Sequence, residues 1–323
     1  MARTDASDQR MQVSRVDPAA GAHPGHDCQT DLMPEGDTVF QTAARLHRAL
    51  AGQELVIADL RWPSLAEADL VGDTTIEVVA RGKHLLQRLT SGRTLHSHLR
   101  MEGSWRTQPA DPPTGWGSHD IRALLVTPGQ AAIGRKLGML DLVATRDEGA
   151  LVGHLGPDVL GPDWDPPRAL ANVRAASGPI MIALLDQRNL AGLGTVYASE
   201  SLFLQHLSPW TEVGELDDRA LAGVIGRAYR LLNANRDDPR RTTTGSRVEG
   251  EQDYVHGRSG RPCRRCGTTI EVASLDPADP NARVAFFCRT CQPGPHPPVV
   301  RQAPLGSQRK GPETRRSYRT WIR

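Results

Sequence analysis

The sequence predicts an α+β protein in which an antiparallel β region is followed by helices and then by a small unit organised by cysteines. Three observations carry this. Short β-type runs separated by turn dipeptides fill residues 55–144, the periodicity becomes helical after Pro167, and two Cys-x-x-Cys pairs stand near the C-terminus.

Residues 1–32 are rich in Asp, Ala, Gly and Pro without periodicity, which predicts a disordered extension. His23, His26 and Cys28 lie close together there, but a flexible polar arm without a second cluster reads as incidental rather than metal-binding. From Thr38, the residues Val39, Ala43, Leu46 and Leu50 recur at helical spacing and Gly52 supplies the stop, so one amphipathic helix is expected. Strands are expected at Leu55–Leu60, Thr75–Ala80, His84–Leu89, Arg93–Leu99, Arg122–Thr127 and Met139–Ala144, with Ser91-Gly92 and Pro128-Gly129 as hairpin turns. Consecutive hairpins imply an antiparallel sandwich or barrel.

His154–Pro167, dense in Gly, Pro and Asp, reads as an interdomain linker. Helices are expected at Ile180–Leu185, Val196–Leu204 and Asp217–Leu232, with Gly192-Leu193-Gly194 and Ser208-Pro209 between them. Residues 254–292 hold the cysteine pairs, and 293–323 read as a Pro-rich, basic, disordered tail.

No apolar run approaches the roughly 18 residues of a membrane span, and the N-terminal stretch has no apolar segment of the secretory kind. An intracellular, cytoplasmic protein is therefore expected. In a reducing compartment, five cysteines argue against a disulfide framework. The formal charge is only +2; residues 1–32 hold three Arg against five Asp, leaving +4 for the remainder. Among 39 basic residues only Lys83, Lys136 and Lys310 are lysines. Since lysine differs from arginine in carrying a proton that moves at accessible pKa, each retained lysine is a candidate for chemistry.

Cys263-Arg-Arg-Cys266 and Cys288-Arg-Thr-Cys291 each place two thiolates in one tight turn. Four thiolates close the tetrahedral shell of one Zn2+ and leave no open position, so the metal expected is structural. Arg283 falls at the turn of a hairpin between the pairs, where a rigidly held guanidinium suits phosphate recognition.

Met33-Pro-Glu-Gly-Asp-Thr-Val39, Arg81-Gly-Lys-His-Leu-Leu86, Leu185-Asp-Gln187, Ala191-Gly-Leu-Gly194 with Tyr197, and the cysteine pairs closing in Cys291-Gln292 resemble, in order, the formamidopyrimidine-DNA glycosylase and endonuclease VIII family. Each motif is weak alone; the ordered set from Met33 to Gln292 is highly specific. The resemblance implies a catalytic β-sandwich over 34–150, a helix-two-turns-helix module over 168–250 and a zinc ribbon over 254–292. It implies a bifunctional DNA glycosylase and abasic-site lyase of base excision repair, acting on damaged DNA as a monomer associated with the nucleoid. The Pro-Glu-Gly-Asp-Thr opening is similar to the endonuclease VIII branch, which implies oxidised pyrimidines as substrates.

The chemistry accounts for the residue types. A secondary amine attacking the sugar C1′ leaves an iminium that cannot discharge by deprotonation, an electron sink for eliminating phosphate. Pro34 fits that role only as an N-terminus, because within a peptide its nitrogen is an amide; translation from Met33, or processing of a longer precursor, is therefore expected. Glu35 is implied as general acid and base, Lys83 as proton donor in β-elimination, and Arg283 as the phosphate ligand associated with δ-elimination.

A base inside a duplex must be extruded before C1′ is reached, and something must fill the hole. Met101 resembles the family's void-filling residue, Arg135 the arginine facing the orphaned base, and His119 a phosphate contact. Thr195 stands where family members usually carry a DNA-binding Asn, so that contact depends on a backbone N–H. Leu137 stands where the purine-directed branch often has a phenylalanine wedge, and Met101 also looks more like that branch. The competing reading is a catalytically silent DNA-binding protein, which has no physical need for Pro34, Glu35 and Lys83 together. The tail residues Arg309, Lys310, Arg315, Arg316, Arg319 and Arg323 add nonspecific affinity for DNA or solubilise the chain end.

Overall fold

Val39, Ala43, Leu46 and Leu50 are all buried on one face of helix α1 (Gly36–Leu50), and Asp37 near its start and His47 and Arg48 near its end complement the helix dipole. The computed structural model describes residues 34–279 and 282–297. The chain divides after Leu32. The expectations for 1–32, with His23, His26 and Cys28, and for the basic tail beyond residue 297 lie outside the described residues.

Eight strands follow α1: β1 (Ile57–Leu60), β2 (Thr75–Arg81), β3 (His84–Leu89), β4 (Arg93–His98), β5 (Ser104–Pro109), β6 (Ile121–Val126), β7 (Gln130–Arg135) and β8 (Met139–Ala144). They form two four-stranded antiparallel sheets, ordered β1-β6-β7-β5 and β2-β3-β4-β8. Leu85, Leu89, Leu95 and Leu140 of one sheet share a core with Trp105, Leu125 and Ala132 of the other and with the buried face of α1. The Trp105 indole N–H donates across the two sheets to Ser97 Oγ at 3.0 Å. The sandwich is thus realised rather than the barrel. Two strands were not expected, β5 because Ser104-Trp-Arg-Thr-Gln-Pro109 is mostly polar, and β7 because Gln130-Ala-Ala-Ile-Gly-Arg135 is mostly small residues; both gain their place from pairing with each other.

Helix α2 (Gly149–Val152) is a single turn, and α3 (Pro166–Ala175) opens the helical region with Asp165 as its cap, accepting from Arg168 N at 3.0 Å, and proline at its first positions. The expected linker is corrected here. Its end is the first turn of α3, and its middle is built in: Asp158 and Val159 are buried, the latter in the core of the helices. Helices α4 (Ile180–Leu185), α5 (Thr195–Leu204) and α6 (Asp218–Asn235) complete that core, with Asp217 capping α6 through Ala220 N at 2.7 Å. Helix α5 is buried from Thr195 to Phe203, between α4 and α6, and α3 packs on α6.

Strands β9 (Glu271–Ser274) and β10 (Val284–Phe287) form an antiparallel hairpin. Its base packs with Phe203, Val255 and Ile270. The expected start of a disordered tail at 293 is also corrected: the His296 ring stacks on Phe287 at 5.1 Å, and Ser208 Oγ donates to Pro295 O.

Candidate active site

Glu35 occupies the N-cap position of α1, yet its carboxylate does not cap that helix. It reaches the start of α5 instead, where Oε2 accepts from Gly194 N at 2.9 Å and Oε1 from Val196 N at 2.7 Å. The two helices meet so closely because backbone meets backbone. Gly36 N donates to Gly192 O at 2.9 Å, and a Cβ on Gly36 would sit 3.0 Å from that same oxygen. Burial raises the Glu35 pKa, while the charges of Lys83 and Arg241 and the N–H of Val196 pull it back. Pro34, half-buried, directly precedes it.

Lys83 lies in the tight turn between β2 and β3, which Gly82 makes with φ of 57°. Gly82 N donates to buried Asp158 at 2.6 Å, and Arg81 donates to Gly156 O and pairs with Asp163, both at 3.0 Å. The supposed linker therefore fixes the turn. It aims Lys83 Nζ at Gly194, where a Cβ would lie 2.7 Å from Nζ and 2.4 Å from Glu35 Cδ. Ammonium and carboxylate converge over one glycine. Burial pulls the Lys83 pKa down to about 8; the Glu35 charge opposes that shift and Arg283 reinforces it. Arg283 is exposed beside β10, and its charge is felt at Lys83.

A second pair lies in the first turn of α1. Asp37 is held by Arg241 through Nη2 to Oδ1 at 2.6 Å and Nε to Oδ2 at 2.8 Å, both side chains almost completely buried. Tyr197 donates its hydroxyl to Asp37 at 2.7 Å. Neither Asp37 nor Arg241 was a candidate from sequence, because nothing local in 204 residues of separation marks the pairing. Also unforeseen is a group of imidazoles beside Lys83. His84 bonds His96 at 2.8 Å, His96 bonds Asp141 at 3.0 Å, and the ring of His98 meets His84 edge-on. Burial and the neighbouring imidazoles hold His84 at about 3, and burial with the charges of Arg100 and Lys83 holds His98 at about 4.

The remaining candidates are dispersed. Met101 projects from the turn after β4 and is 61% exposed, outside the sandwich core. Arg135, at the end of β7, is held by Asp120 at 2.6 Å and by Gly115 O at 3.1 Å. His119 is exposed in the loop before β6. Thr195, expected to offer a backbone N–H to DNA, is 1% exposed at the first position of α5, and the flanking N–H groups of Gly194 and Val196 are engaged by Glu35. Leu137 is buried in the sandwich core rather than presented as a wedge.

The four cysteine sulfurs lie within 4.8 Å of one another, with Cys266–Cys288 at 3.4 Å and Cys263–Cys291 at 3.8 Å. These separations are too long for disulfides, whose sulfurs bond at about 2.05 Å. The set can hold one metal ion, and it is the one such group among the described residues.

Two family models match the chain: the formamidopyrimidine-DNA glycosylase N-terminal domain over residues 33–133 and the formamidopyrimidine-DNA glycosylase H2TH domain over residues 155–243. A probable endonuclease 8 2 of Streptomyces coelicolor is 52% identical over 267 residues, covering 82% of this chain and 96% of that protein. A DNA-(apurinic or apyrimidinic site) lyase Nei2 of Mycolicibacterium smegmatis is 44% identical, covering 80% of this chain and 99% of that protein. In fold, the chain matches the formamidopyrimidine-DNA glycosylase of Lactococcus lactis solved with abasic-site DNA, with a TM-score of 0.68 at 24% identity over 81% of this chain and all of the other.

Proposed function

The chain belongs to the formamidopyrimidine-DNA glycosylase family, and from that premise we propose that it is a bifunctional DNA glycosylase and abasic-site lyase of DNA repair whose nucleophile is the amine of Pro34. The observation that carries the reading is the convergence of Glu35 and Lys83 over Gly194, with Pro34 one residue away. The Pro34 nitrogen forms a bond to C1′ as the bond from C1′ to the base breaks. Glu35 passes a proton to the sugar ring as it opens, leaving an iminium on the proline nitrogen. Glu35, now a carboxylate, takes a C2′ proton as the C3′–O bond breaks and the 3′ phosphate leaves, with the Lys83 ammonium as the proton source for the departing groups. Arg283, whose charge reaches Lys83, holds phosphate and supports the second elimination.

The family match beginning at residue 33 supports an active form that starts with Pro34. Residues 34–150 serve as the catalytic unit, 168–250 as the helix-two-turns-helix unit and 254–292 as the ribbon. The Pro34-Glu-Gly-Asp-Thr38 opening, similar to the endonuclease VIII branch, favours oxidised pyrimidines as substrates. Met101 fills the gap left by the extruded base, Arg135 faces the orphaned partner and His119 contacts phosphate. The protein works as a monomer on nucleoid DNA inside the cell. No helix among the described residues is long and apolar enough to cross a membrane.

The metal assigned to the cysteines is zinc. A tetrahedron with Zn–S bonds of about 2.3 Å has edges of about 3.8 Å, the separation of the Cys263 and Cys291 sulfurs, with Cys266 and Cys288 at 3.4 Å. Bound zinc closes the ribbon and supplies no chemistry to the reaction. Cys263, Cys266, Cys288 and Cys291 thereby fix the hairpin that carries Arg283.

The test is borohydride trapping on an oligonucleotide with one abasic site, comparing protein begun at Met33 with protein held intact from Met1. A covalent adduct from the Pro34-terminated form alone is expected. No adduct from verified, zinc-loaded, Pro34-terminated protein would replace this reading with the catalytically silent DNA-binding protein.

A further inference from the structure

We propose that the buried Asp37–Arg241 pair is a positioning device for this reaction: it locks the Pro34–Glu35 end of α1 onto α5 and sets the balance of charge around Glu35 and Lys83. The inference rests on the function proposed above.

A buried ion pair is weak evidence for stability, because desolvation offsets its attraction and apolar replacements of similar volume serve as well. The reason for this pair lies in its location. Asp37 is two residues from Glu35, in the first turn of α1, and its carboxylate is fully engaged: two bonds from Arg241 and one from the Tyr197 hydroxyl. Arg241 also donates to Thr38 Oγ1 at 2.9 Å and lies over the Tyr197 ring, 5.2 Å from its centre. Tyr197 belongs to the first turn of α5, the same turn whose N–H groups hold Glu35. The two helices are therefore clamped twice, at Glu35 and at Asp37, and any slip of α1 along α5 carries the Pro34 nitrogen with it.

The pair also acts through charge. Glu35 is faced by Lys83, Arg241 and Asp37; Lys83 is faced by Glu35, Arg283, Arg241 and Asp37, with His98 close by. Arg241 in turn faces Asp37, Tyr197 and Glu35, and its charge reaches His256 and Asp253. Asp37 and Arg241 push both site residues in opposite senses. With both present each opposes the other; with one removed the other is unopposed.

The scarcity of lysine makes this measurable without substrate. Reductive methylation of the full chain with 13C-formaldehyde labels the three lysines and the N-terminal amine, and the Lys83 signal is the one absent from K83R. The expected result is that the Lys83 titration midpoint moves down in D37N and up in R241Q, by about half a unit to one unit each, and returns towards the native value in the double variant D37N/R241Q. Loosened packing alone cannot give opposite signs. Folded single variants whose midpoints move the same way, or not at all, overturn the inference.

Where a single variant fails to fold, as an unpaired buried charge permits, the double variant decides. Borohydride adduct formation at saturating DNA should be at least about tenfold slower in it, with affinity for abasic DNA unchanged; a native rate overturns the positioning role. The lysine titration is read without DNA, so its outcome is distinct from failure of the enzyme reading, which shows as native protein that titrates as expected but forms no adduct.

Discussion

Glu35 and Lys83 meet over the α-carbon of Gly194, one from the start of α1 and the other from the β2–β3 turn, at a point where a single methyl group would lie within 2.7 Å of both. Gly194 thus leaves room for the site rather than relieving backbone strain. Replacing it with alanine should displace both groups by roughly an ångström, a misplacement that costs about 10²-fold in rate. We expect G194A to keep its zinc and a cooperative thermal transition while adduct formation on abasic DNA falls by about that factor. Native adduct rates in G194A would show that the two side chains need not meet there.

Glu35→Gln keeps the shape but turns one acceptor into a donor, opposite the N–H groups of Gly194 and Val196. Loss of the general acid and base should slow release of a damaged base by about 10²–10⁴-fold. Single-turnover excision from a lesion-bearing duplex checks this, with DNA affinity measured in parallel. A loss confined to affinity would move Glu35 from chemistry to binding.

Lys83 has a pKa lowered to about 8, so the folded protein gives up this proton well before free lysine would at about 10.4. Strand cleavage that needs the ammonium should fall about tenfold per pH unit above 8, and K83Q should lack that limb. Between pH 8 and 10.4 the unfolded chain binds the extra proton, so this group makes stability rise with pH across that window. Chemical denaturation of native and K83Q protein at pH 7.5 and 10 reads the sign. A contribution from Lys83 that falls as pH rises contradicts it.

The four-cysteine cluster predicts one zinc per chain, lost in C266S or with a strong chelator. Structural zinc in small units accounts for roughly 10–16 kcal/mol of apparent binding free energy, which here is folding free energy of the ribbon. Metal removal should therefore release the hairpin carrying Arg283 and weaken DNA binding, while the buried sandwich core survives. Equal DNA affinity with and without metal would separate the ribbon from DNA recognition.

Met101 is exposed and packs against nothing that a smaller residue would empty. M101A should leave thermal stability within about 0.5 kcal/mol of native but slow excision from duplex more than from single-stranded substrate, where no hole needs filling. Equal slowing on both would remove it from the void-filling role.

The sequence determined the elements whose periodicity is local. The face of α1, the hairpins at Ser91-Gly92 and Pro128-Gly129, the buried α5 and the two cysteine knuckles were all legible because the residues that specify them lie within a few positions of one another. Pro34, Glu35, Lys83 and Arg283 were singled out as candidates because their residue types fit one reaction and their order fits one family. Long-range pairing was not. Strands β5 and β7 exist because each completes the other's hydrogen bonds, the segment around Asp158 is ordered because it accepts from Gly82, and Thr195 is hidden because the helix it begins is enclosed on every side. The Asp37–Arg241 pair and the meeting of Glu35 with Lys83 were decided by how α1, α5 and the β2–β3 turn dock. Buried charge takes its partner from whatever packing brings within reach, and linear spacing carries no record of that.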